Sequence, residues 1–492
     1  MRYLSDDDLR SLSPAESATL DTPIPTQMIS NGEFTPLPQT AEQRRVEQEI
    51  ARLAEELAPR HGMNRRQFLT SSAGMSAAFL AMNSVFGPLF TASKAEAATP
   101  GVAEDRARKL AGQFIFDCQT HFVRDDYGQA GITGLAQFAK QFWNPALANE
   151  KSLDRMKFAN YVKEIYVDSD TKVALLSGSP VDDPFNLFLT NDQIAAARTS
   201  VNTVARSRRM LAHSIIQPMS DGWLDEVDRC IEVVKPESWK GYTIGDPIFL
   251  TKKGSNWRLD DEKRVYPFYE KCVKSGINTV CIHKGLLPAD YEKSWPEVWK
   301  HATVWDLGKA AKDWPQITFI IYHSALRPFI ELPDASLKQF EDTGRIDWVT
   351  DLAEIPQKFG VKNVHAELGT CFANTCVTHP RLAAAMVGTL IRGLGQDKVV
   401  WGTDSVWYGS PQWQIEAMRR LEIPEDMQKK HGFRPLGAAD GPVKSAIFAG
   451  NAARHYKLDP KTAQTALDAD QITAMRAHWA GDRSNLRYGY VA

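Results

Sequence analysis

Four short apolar segments of this 492-residue chain each lead into a side chain of a kind that binds metal ions. The segment VVWG leads to Asp404, and the segments VCI and FIIY end at His283 and His323. In a fourth segment, FIFDCQTH, an extended backbone places Asp117, Gln119 and His121 on one face. A single strand-end histidine is usually structural. The recurrence of the pattern instead predicts one shared site at the ends of parallel strands.

The types of these side chains indicate a mononuclear metal site. Such a site needs a few imidazole or carboxylate ligands and an open position for water or substrate. His121, His283 and Asp404 supply three ligands. Gln119 is uncharged, so it binds the metal weakly, reaches it through water, or holds substrate instead. Because oxygen ligation suits manganese and iron better than zinc, Gln119 favours those two metals, and we keep zinc, manganese and iron as candidates for one divalent ion.

Two of the residues are also candidates for catalysis. His323 is predicted to act as general acid or base, because an imidazole titrates near neutrality and moves protons readily. The alternative is a structural, hydrogen-bonded histidine. Asp404 combines metal ligation with a catalytic role, whereas its alternative is a helix-capping aspartate in Thr-Asp-Ser.

Four further residues are predicted to contact substrate. Arg327 lies shortly after His323 and either clamps a carboxylate or forms a salt bridge. Trp407, Trp143 and Arg124 either line the pocket or pack structurally. The abundance of aromatic residues near the predicted strand ends favours a small aromatic or carboxylate-bearing substrate.

The same residues carry a resemblance to a known family. Gln119-x-His121, followed by His283, His323 and Asp404, resembles the amidohydrolase-related family of metal-dependent hydrolases and decarboxylases, as do the segments WKGYT, YPFYE and IFAGNAAR. The resemblance covers roughly residues 114–458. It implies a catalytic histidine at the end of strand six, and an aspartate that takes a proton from water in the hydrolases. In that family a histidine usually stands where this chain has Gln119.

Strand-like and helix-like segments alternate along residues 110–492, which predicts one α/β domain of the (β/α)8 TIM-barrel type with long βα-loop insertions. A doubly wound sheet is the alternative, but it would not bring the first, fifth, sixth and last strands to one point. The eight predicted strands are 114–119, 172–176, 211–217, 240–243, 279–283, 318–323, 361–367 and 398–403.

The residues before the barrel are predicted to form two segments. Residues 1–63 are polar and poor in aromatic residues, which predicts a disordered extension with one helix at 40–57. Residues 64–98 contain adjacent arginines, a weakly apolar stretch and an Ala-x-Ala site, which resemble a twin-arginine export signal. We therefore expect the export machinery of that route as a partner and a periplasmic location. A membrane anchor, or a true start at Met63, is the alternative.

Composition excludes some partners. The chain has 58 Lys plus Arg against 60 Asp plus Glu and no basic tract, which argues against nucleic acid binding. Its six cysteines are scattered, and we expect buried thiols. A homo-oligomer remains open.

Three functions follow from these patterns. The first is a metal-dependent hydrolase that activates water to cleave an ester, lactone or amide. The second is a non-oxidative decarboxylase of an aromatic or unsaturated carboxylic acid. The third is a non-catalytic periplasmic binding protein, in which Gln119 marks a lost metal site.

Overall fold

The structure is a computed structural model that describes residues 22–29, 39–127, 156–179, 187–245, 255–286, 291–294, 296, 298–327 and 333–479. Eight parallel strands form one sheet in sequential order, so each strand pairs with the next along the chain. The strands are β1 Phe116–Thr120, β2 Val173–Leu176, β3 Met210–Ile215, β4 Ser238–Tyr242, β5 Thr279–His283, β6 Thr318–Tyr322, β7 Val364–Glu367 and β8 Val399–Val400.

The sheet closes on itself between its first and last strands. Beyond the end of β8, the Asp404 amide donates to the Gln119 carbonyl at 2.9 Å, and the His121 amide donates to the Ser405 carbonyl at 2.7 Å. A parallel bridge between Thr120 and Ser405 lies at the same place. These contacts complete the TIM barrel that the sequence predicts. They also bring the chain segments that carry Gln119, His121 and Asp404 side by side.

Helices surround the barrel and alternate with its strands. They are α1 Ala41–Leu57, α2 Arg65–Leu69, α3 Ser72–Phe86, α4 Lys94–Ala98, α5 Val102–Leu110, α6 Phe158–Val162, α7 Asn191–Ala205, α8 Trp223–Arg229, α9 Tyr266–Ser275, α10 Tyr291–Ser294, α11 Leu307–Asp313, α12 Pro333–Thr343, α13 Val349–Phe359, α14 Cys371–Thr378, α15 Pro380–Leu394, α16 Gln412–Arg420, α17 Glu425–His431, α18 Pro442–Ser445, α19 Asn451–His455, α20 Pro460–Asp468 and α21 Gln471–His478. Within the described residues, no helix combines the length and the apolarity needed to cross a membrane.

The observed strands overlap all eight predicted ones, and β8 differs most. The prediction spans 398–403, whereas ladder pairing covers only Val399–Val400. The Trp401 amide donates to the Ile447 carbonyl, and the Thr403 amide donates to the Asp117 carboxylate. These partners replace the ladder to β7 beyond Val400, and residues 401–405 hydrogen-bond to β1 instead.

Apolar side chains form two cores. One fills the barrel interior with residues such as Phe116, Val173, Leu211 and Ile320, all fully buried. The other lies between the strands and the surrounding helices. All six cysteines are buried and free, as the sequence predicts.

Part of the predicted disordered extension is folded. Helix α1 matches the predicted helix at 40–57 and begins at a capping box formed by Thr40 and Gln43. Its apolar stripe packs against α3, and Ile24 and Met28 are each only 1% exposed. Residues 22–29 and 39–63 are thus ordered because the stripe has an apolar partner. Residues 1–21 and 30–38 lie outside the described residues.

The segment with the predicted export signal packs against the barrel through α16. The Thr91 amide donates to the Arg420 carbonyl at 2.8 Å, and Phe90 bridges Leu421. A group of ion pairs, here called the interface cluster, joins the two parts and consists of Glu96, Arg106, Glu416, Arg419 and Arg420. The long insertion after β8 therefore supplies a docking helix. The twin-arginine signal, its export partner and the periplasmic location stay predictions.

Candidate active site

The candidate site lies at the carboxyl ends of β1, β5, β6 and β8. His283 is the last residue of β5, whereas His121 and His323 directly follow β1 and β6. Asp404 lies four residues beyond β8. The backbones of His323 and Asp404 have φ values of 60° and 61°, a region that side-chain-bearing residues seldom occupy. Such conformations persist only where surrounding contacts hold them, and they concentrate at functional sites.

The structure brings Gln119, His121, His323 and Asp404 into one buried group, here called the strand-end cluster. His121 Nε2 lies 3.0 Å from Asp404 Oδ1. Gln119 Nε2 donates to the same oxygen at 2.8 Å, and it lies 3.5 Å from His121 Nε2 and 3.4 Å from His323 Nε2. Each of the four residues is at most 2% exposed. The predicted convergence of these side chains therefore occurs.

Backbone carbonyls orient both imidazole rings of the cluster. His121 Nδ1 lies 2.8 Å from the Ser177 carbonyl oxygen, and His323 Nδ1 lies 2.9 Å from the Gly369 carbonyl oxygen. Because a carbonyl oxygen only accepts, Nδ1 carries the hydrogen in both rings. In a neutral ring, Nε2 then presents its lone pair, and both Nε2 atoms face the cluster. This is the arrangement that metal-binding histidines usually have.

His283 lies beside the cluster. Its ring centroid is 4.6 Å from that of His323 and 4.2 Å from that of Tyr242. Burial, with His323 and Lys240 nearby, holds the pKa of His283 well below its usual range. His283 is therefore neutral at physiological pH, as a metal ligand must be.

Burial also changes the acid–base behaviour of His323. It lowers the pKa of His323 to about 4, with Lys240 contributing and the negative charge of Asp404 opposing the shift. The sequence predicts an imidazole that titrates near neutrality, whereas burial, which the sequence could not show, holds the pKa of His323 below that range. At neutral pH, His323 is a base with its lone pair facing the cluster.

Asp404 is held in its charged form. Burial raises the pKa of a carboxyl group, but contacts with His121, His323 and Thr370 outweigh it and lower the pKa of Asp404. The Thr370 hydroxyl donates to Asp404 Oδ2, and the Tyr408 hydroxyl donates to Thr370 at 2.8 Å. Sequence reasoning missed Thr370, since nothing in the chain marks a threonine after β7 as a neighbour of β8.

Two other buried carboxyl groups support the site. Asp117 accepts hydrogen bonds from the Thr403 amide at 3.0 Å and from the Thr403 hydroxyl, which fixes β1 to the segment after β8. Glu367 accepts from the His323 amide at 3.1 Å. Burial raises the pKa of Asp117 to about 7 and that of Glu367 to about 8. Strand alternation placed Asp117 on the site face, but only the structure shows its clamping contact.

Aromatic rings form one wall of the cluster. Trp407 stacks on His121 with centroids 5.9 Å apart, and Phe188 lies 5.2 Å from Trp407. Tyr127 extends this wall through Phe188, at 5.5 Å. The structure thus places Trp407 against the cluster, and it adds Phe188, which sequence reasoning did not single out.

The remaining predicted substrate residues have other placements. Arg327 pairs with Glu292 at 3.1 Å and with Asp347 at 3.0 Å, which is the salt-bridge alternative. Arg124 pairs with Asp126 at 3.3 Å. Trp143 lies outside the described residues.

The donor atoms of the cluster fit a divalent cation chemically. His121 Nε2 and Asp404 Oδ1 are both acceptors when the ring is neutral, so their 3.0 Å contact requires a second ring proton or a cation between them. Among the residues that the structure describes, Gln119 Oε1 is buried without a hydrogen-bond partner. Within the described ranges, however, no three His, Cys, Asp or Glu side chains have a metal-holding arrangement. The Gln119 amide stands between the potential ligands.

Fold and site together define a TIM barrel with a candidate metal-binding catalytic centre at the carboxyl ends of its strands. Residues 248–458 match the family model described as amidohydrolase. That match supports the resemblance seen in the sequence. No curated protein matches the chain.

Several solved structures are similar to this chain at low identity. An uncharacterised TIM-barrel protein from Bordetella bronchiseptica has 14% identity, covers 70% of this chain and 98% of its own, and has a TM-score of 0.44. The 5-carboxyvanillate decarboxylase LigW from Sphingomonas paucimobilis has 12% identity, covers 70% of this chain and 100% of its own, and has a TM-score of 0.41. A 5-carboxyvanillate decarboxylase from Novosphingobium aromaticivorans, complexed with manganese, has 14% identity, covers 71% of this chain and 97% of its own, and has a TM-score of 0.41.

Proposed function

We propose that this chain is a metal-dependent enzyme of the amidohydrolase family, acting on a small carboxylate-bearing or carbonyl-bearing substrate. The observation that carries the proposal is the strand-end cluster, in which two imidazole Nε2 atoms and the Asp404 carboxylate converge on one point. His121 and Asp404 would hold one divalent ion, with His283 and Gln119 as further ligands. The ion, when bound, supplies positive charge that polarises substrate oxygen atoms.

Non-oxidative decarboxylation of an aromatic acid is the reaction that the site favours. The cluster is at most 2% exposed and has the aromatic wall of Trp407 and Phe188 beside it. Loss of carbon dioxide converts an anionic carboxylate into a neutral molecule, and a dry apolar site favours such a loss of charge. The same rings offer stacking surfaces for an aromatic substrate.

Different residues would carry out different parts of this reaction. The wall residues orient the aromatic ring and exclude water. His323 is neutral and faces the cluster, so its Nε2 would accept a proton from solvent and transfer it to the ring carbon as the bond from that carbon to the carboxylate breaks and carbon dioxide leaves. Thr370 and Ser177 act as positioning residues, because they fix Asp404 and His121 through hydrogen bonds.

Hydrolysis of an ester, lactone or amide is the second candidate. Asp404 is deprotonated and His323 is neutral, so each has an acceptor atom that could take a proton from water. In this case the proton ends on the leaving group.

A paired assay separates the two reactions. The protein is loaded with Mn²⁺ and given hydroxylated benzoic acids and, separately, their methyl esters and lactone analogues. We expect carbon dioxide release from the acids, with the activity lost in His323→Ala and kept in His478→Ala, an exposed histidine. Cleavage of the esters without carbon dioxide release would instead establish the hydrolase. Failure of both reactions, with no Mn²⁺ bound, would leave the non-catalytic binding protein.

A further inference from the structure

Gln119 stands at the point where the cation of the proposed site would be held. Its amide nitrogen lies 2.8 Å from Asp404 Oδ1, 3.4 Å from His323 Nε2 and 3.5 Å from His121 Nε2. These three atoms are acceptors in the neutral-ring form, and the Gln119 amide donates toward them, whereas the Nδ1 hydrogens of both rings point to backbone carbonyls. The NH₂ group therefore supplies, with its two hydrogens, part of the positive charge that the acceptors require.

The arrangement fixes which end of the amide points inward. With the ends exchanged, Gln119 Oε1 would face the anionic Asp404 Oδ1 at close range, which is repulsive without a cation. The inward nitrogen therefore belongs to the metal-free protein. Its cost is that Oε1, on a side chain only 1% exposed, has no hydrogen-bond partner among the described residues.

The surroundings of Oε1 suit the opposite orientation. A Cβ atom added to Gly369 would lie 2.4 Å from Gln119 Oε1 and 2.6 Å from Glu367 Oε1, so the two oxygens flank the same small volume beside this glycine. Glu367 Oε1 accepts a hydrogen bond from the Gly369 amide. An amide nitrogen turned to this side would face a carboxyl oxygen, and Oε1 would face the cluster.

We propose that Gln119 is a metal ligand with two orientations. In the metal-free protein, its NH₂ group occupies the cation position and holds the acceptors together, an arrangement here called the amide plug. When a cation binds, the terminal amide turns by half a rotation, so that Oε1 contacts the cation and Nε2 faces Glu367. This inference rests on the proposed metal site and specifies how that site is emptied and filled.

The amide plug explains two properties of the site together. A cluster of unsatisfied acceptors in a dry interior would destabilise the metal-free fold. The plug removes much of that cost, but metal binding must then displace the hydrogen bonds that the plug makes. We therefore expect the wild-type protein to fold without metal and to gain little thermal stability when metal is added.

The test is the thermal stability of Gln119→Glu with and without MnCl₂. The substitution keeps the shape of the side chain and replaces its donor by a charged acceptor. We expect the metal-free variant to melt roughly 5 °C or more below wild type. Saturating Mn²⁺ should restore most of the difference, and calorimetric titration should give at least tenfold tighter Mn²⁺ binding than in wild type.

Gln414→Glu is the matched control, because Gln414 is also fully buried with an unpartnered Oε1. That variant should lose stability without recovering it in Mn²⁺. If Gln119→Glu does not fold, Gln119→Ala serves, and its Mn²⁺-induced rise in melting temperature should exceed that of wild type.

Three outcomes would overturn the inference. Equal metal-free stability of wild type and Gln119→Glu would show that no plug exists, even where both bind Mn²⁺ and the metal site stands. An Mn²⁺ affinity unaltered by the substitution would show that Gln119 is not a ligand. Absence of Mn²⁺ binding in both proteins would remove the metal site and the plug together.

Discussion

The strand-end cluster and the interface cluster are both buried groups of polar side chains, yet their atoms are paired very differently. In the interface cluster, Glu416 contacts Arg106, Arg419 and Arg420 at 2.7, 2.9 and 3.1 Å. Glu96 pairs with Arg420 as well. In the strand-end cluster, His121 Nε2 and Asp404 Oδ1 face each other, and Gln119 Oε1 has no hydrogen-bond partner in the described part of the chain.

The pKa shifts also differ between the two regions. The guanidinium groups around Glu416 overcome the effect of burial and lower its pKa to about 2. At the strand ends, His121, His323 and Thr370 lower the pKa of Asp404, whereas desolvation dominates at Glu367 beside the cluster and raises its pKa to about 8. Carboxylates held by guanidinium groups indicate a structural role. Neighbouring carboxyl groups whose pKa values shift in opposite directions beside histidine rings indicate a functional site.

Removing the carboxylate of the strand-end cluster should have the largest effect. We expect Asp404→Asn to lose metal and to reduce kcat/KM by roughly 10⁴-fold, because a neutral amide cannot replace an anionic ligand. Steady-state kinetics and metal analysis measure both effects. Its melting temperature should stay near that of wild type, and a variant that keeps both metal and activity would contradict the assignment of Asp404.

Removing the proton-transfer group should have a smaller effect. We expect His323→Ala to bind metal but to lose about 10³-fold in kcat, the size typical of general acid–base catalysis. The comparison with Asp404→Asn separates proton transfer from metal binding. Loss of metal in His323→Ala would show that this histidine is a ligand instead.

Removing a carboxylate from the interface cluster should lower the free energy of unfolding and leave the catalytic rate unchanged. Glu416→Ala removes the carboxylate that Arg106, Arg419 and Arg420 share. Asp170 still pairs with Arg419 and Glu96 with Arg420, but the guanidinium groups then outnumber these carboxylates, which costs about 3–5 kcal/mol. Chemical denaturation measures this loss, while kcat should be unchanged. The control Glu425→Ala removes an exposed partner of Lys429 and should change stability by less than about 1 kcal/mol. An equal effect of the two substitutions would refute the structural role of the cluster.

The interface cluster should also contribute to the pH dependence of stability, with a smaller effect than the substitution. The pKa of Glu416 falls from 4.5 to about 2 on folding, so its contribution is complete above pH 4.5 and disappears as the pH falls toward 2. The contribution is on the order of 3 kcal/mol. The free energy of unfolding of wild type should therefore fall across this pH window more steeply than that of Glu416→Gln. An equal pH dependence of stability in the two proteins would contradict the lowered pKa of Glu416.

The parts of the fold that could be predicted are those carried by local pattern. Alternation of strand-like and helix-like segments located all eight strands, and closure of a barrel followed from their number and order. The strand-end cluster was predictable for the same reason, because carboxyl ends of parallel strands meet at one face.

Contacts between distant segments account for what the sequence did not show. Thr370 reaches Asp404 only because β7 lies beside β8, and α1 is ordered because α3 covers its apolar stripe. The pKa of His323 depends on complete burial, which no local pattern reveals. The inward donor of Gln119 likewise appears only when its three neighbours are in place.

The most direct test of the strand-end cluster as a cation site is Mn²⁺ binding measured by calorimetric titration on metal-free wild type and on His121→Ala/Asp404→Ala. We predict one bound ion per chain in wild type and none in the double variant, with the interface cluster undisturbed and both proteins folded. Equal binding in the two proteins, or no binding in wild type, would contradict the account.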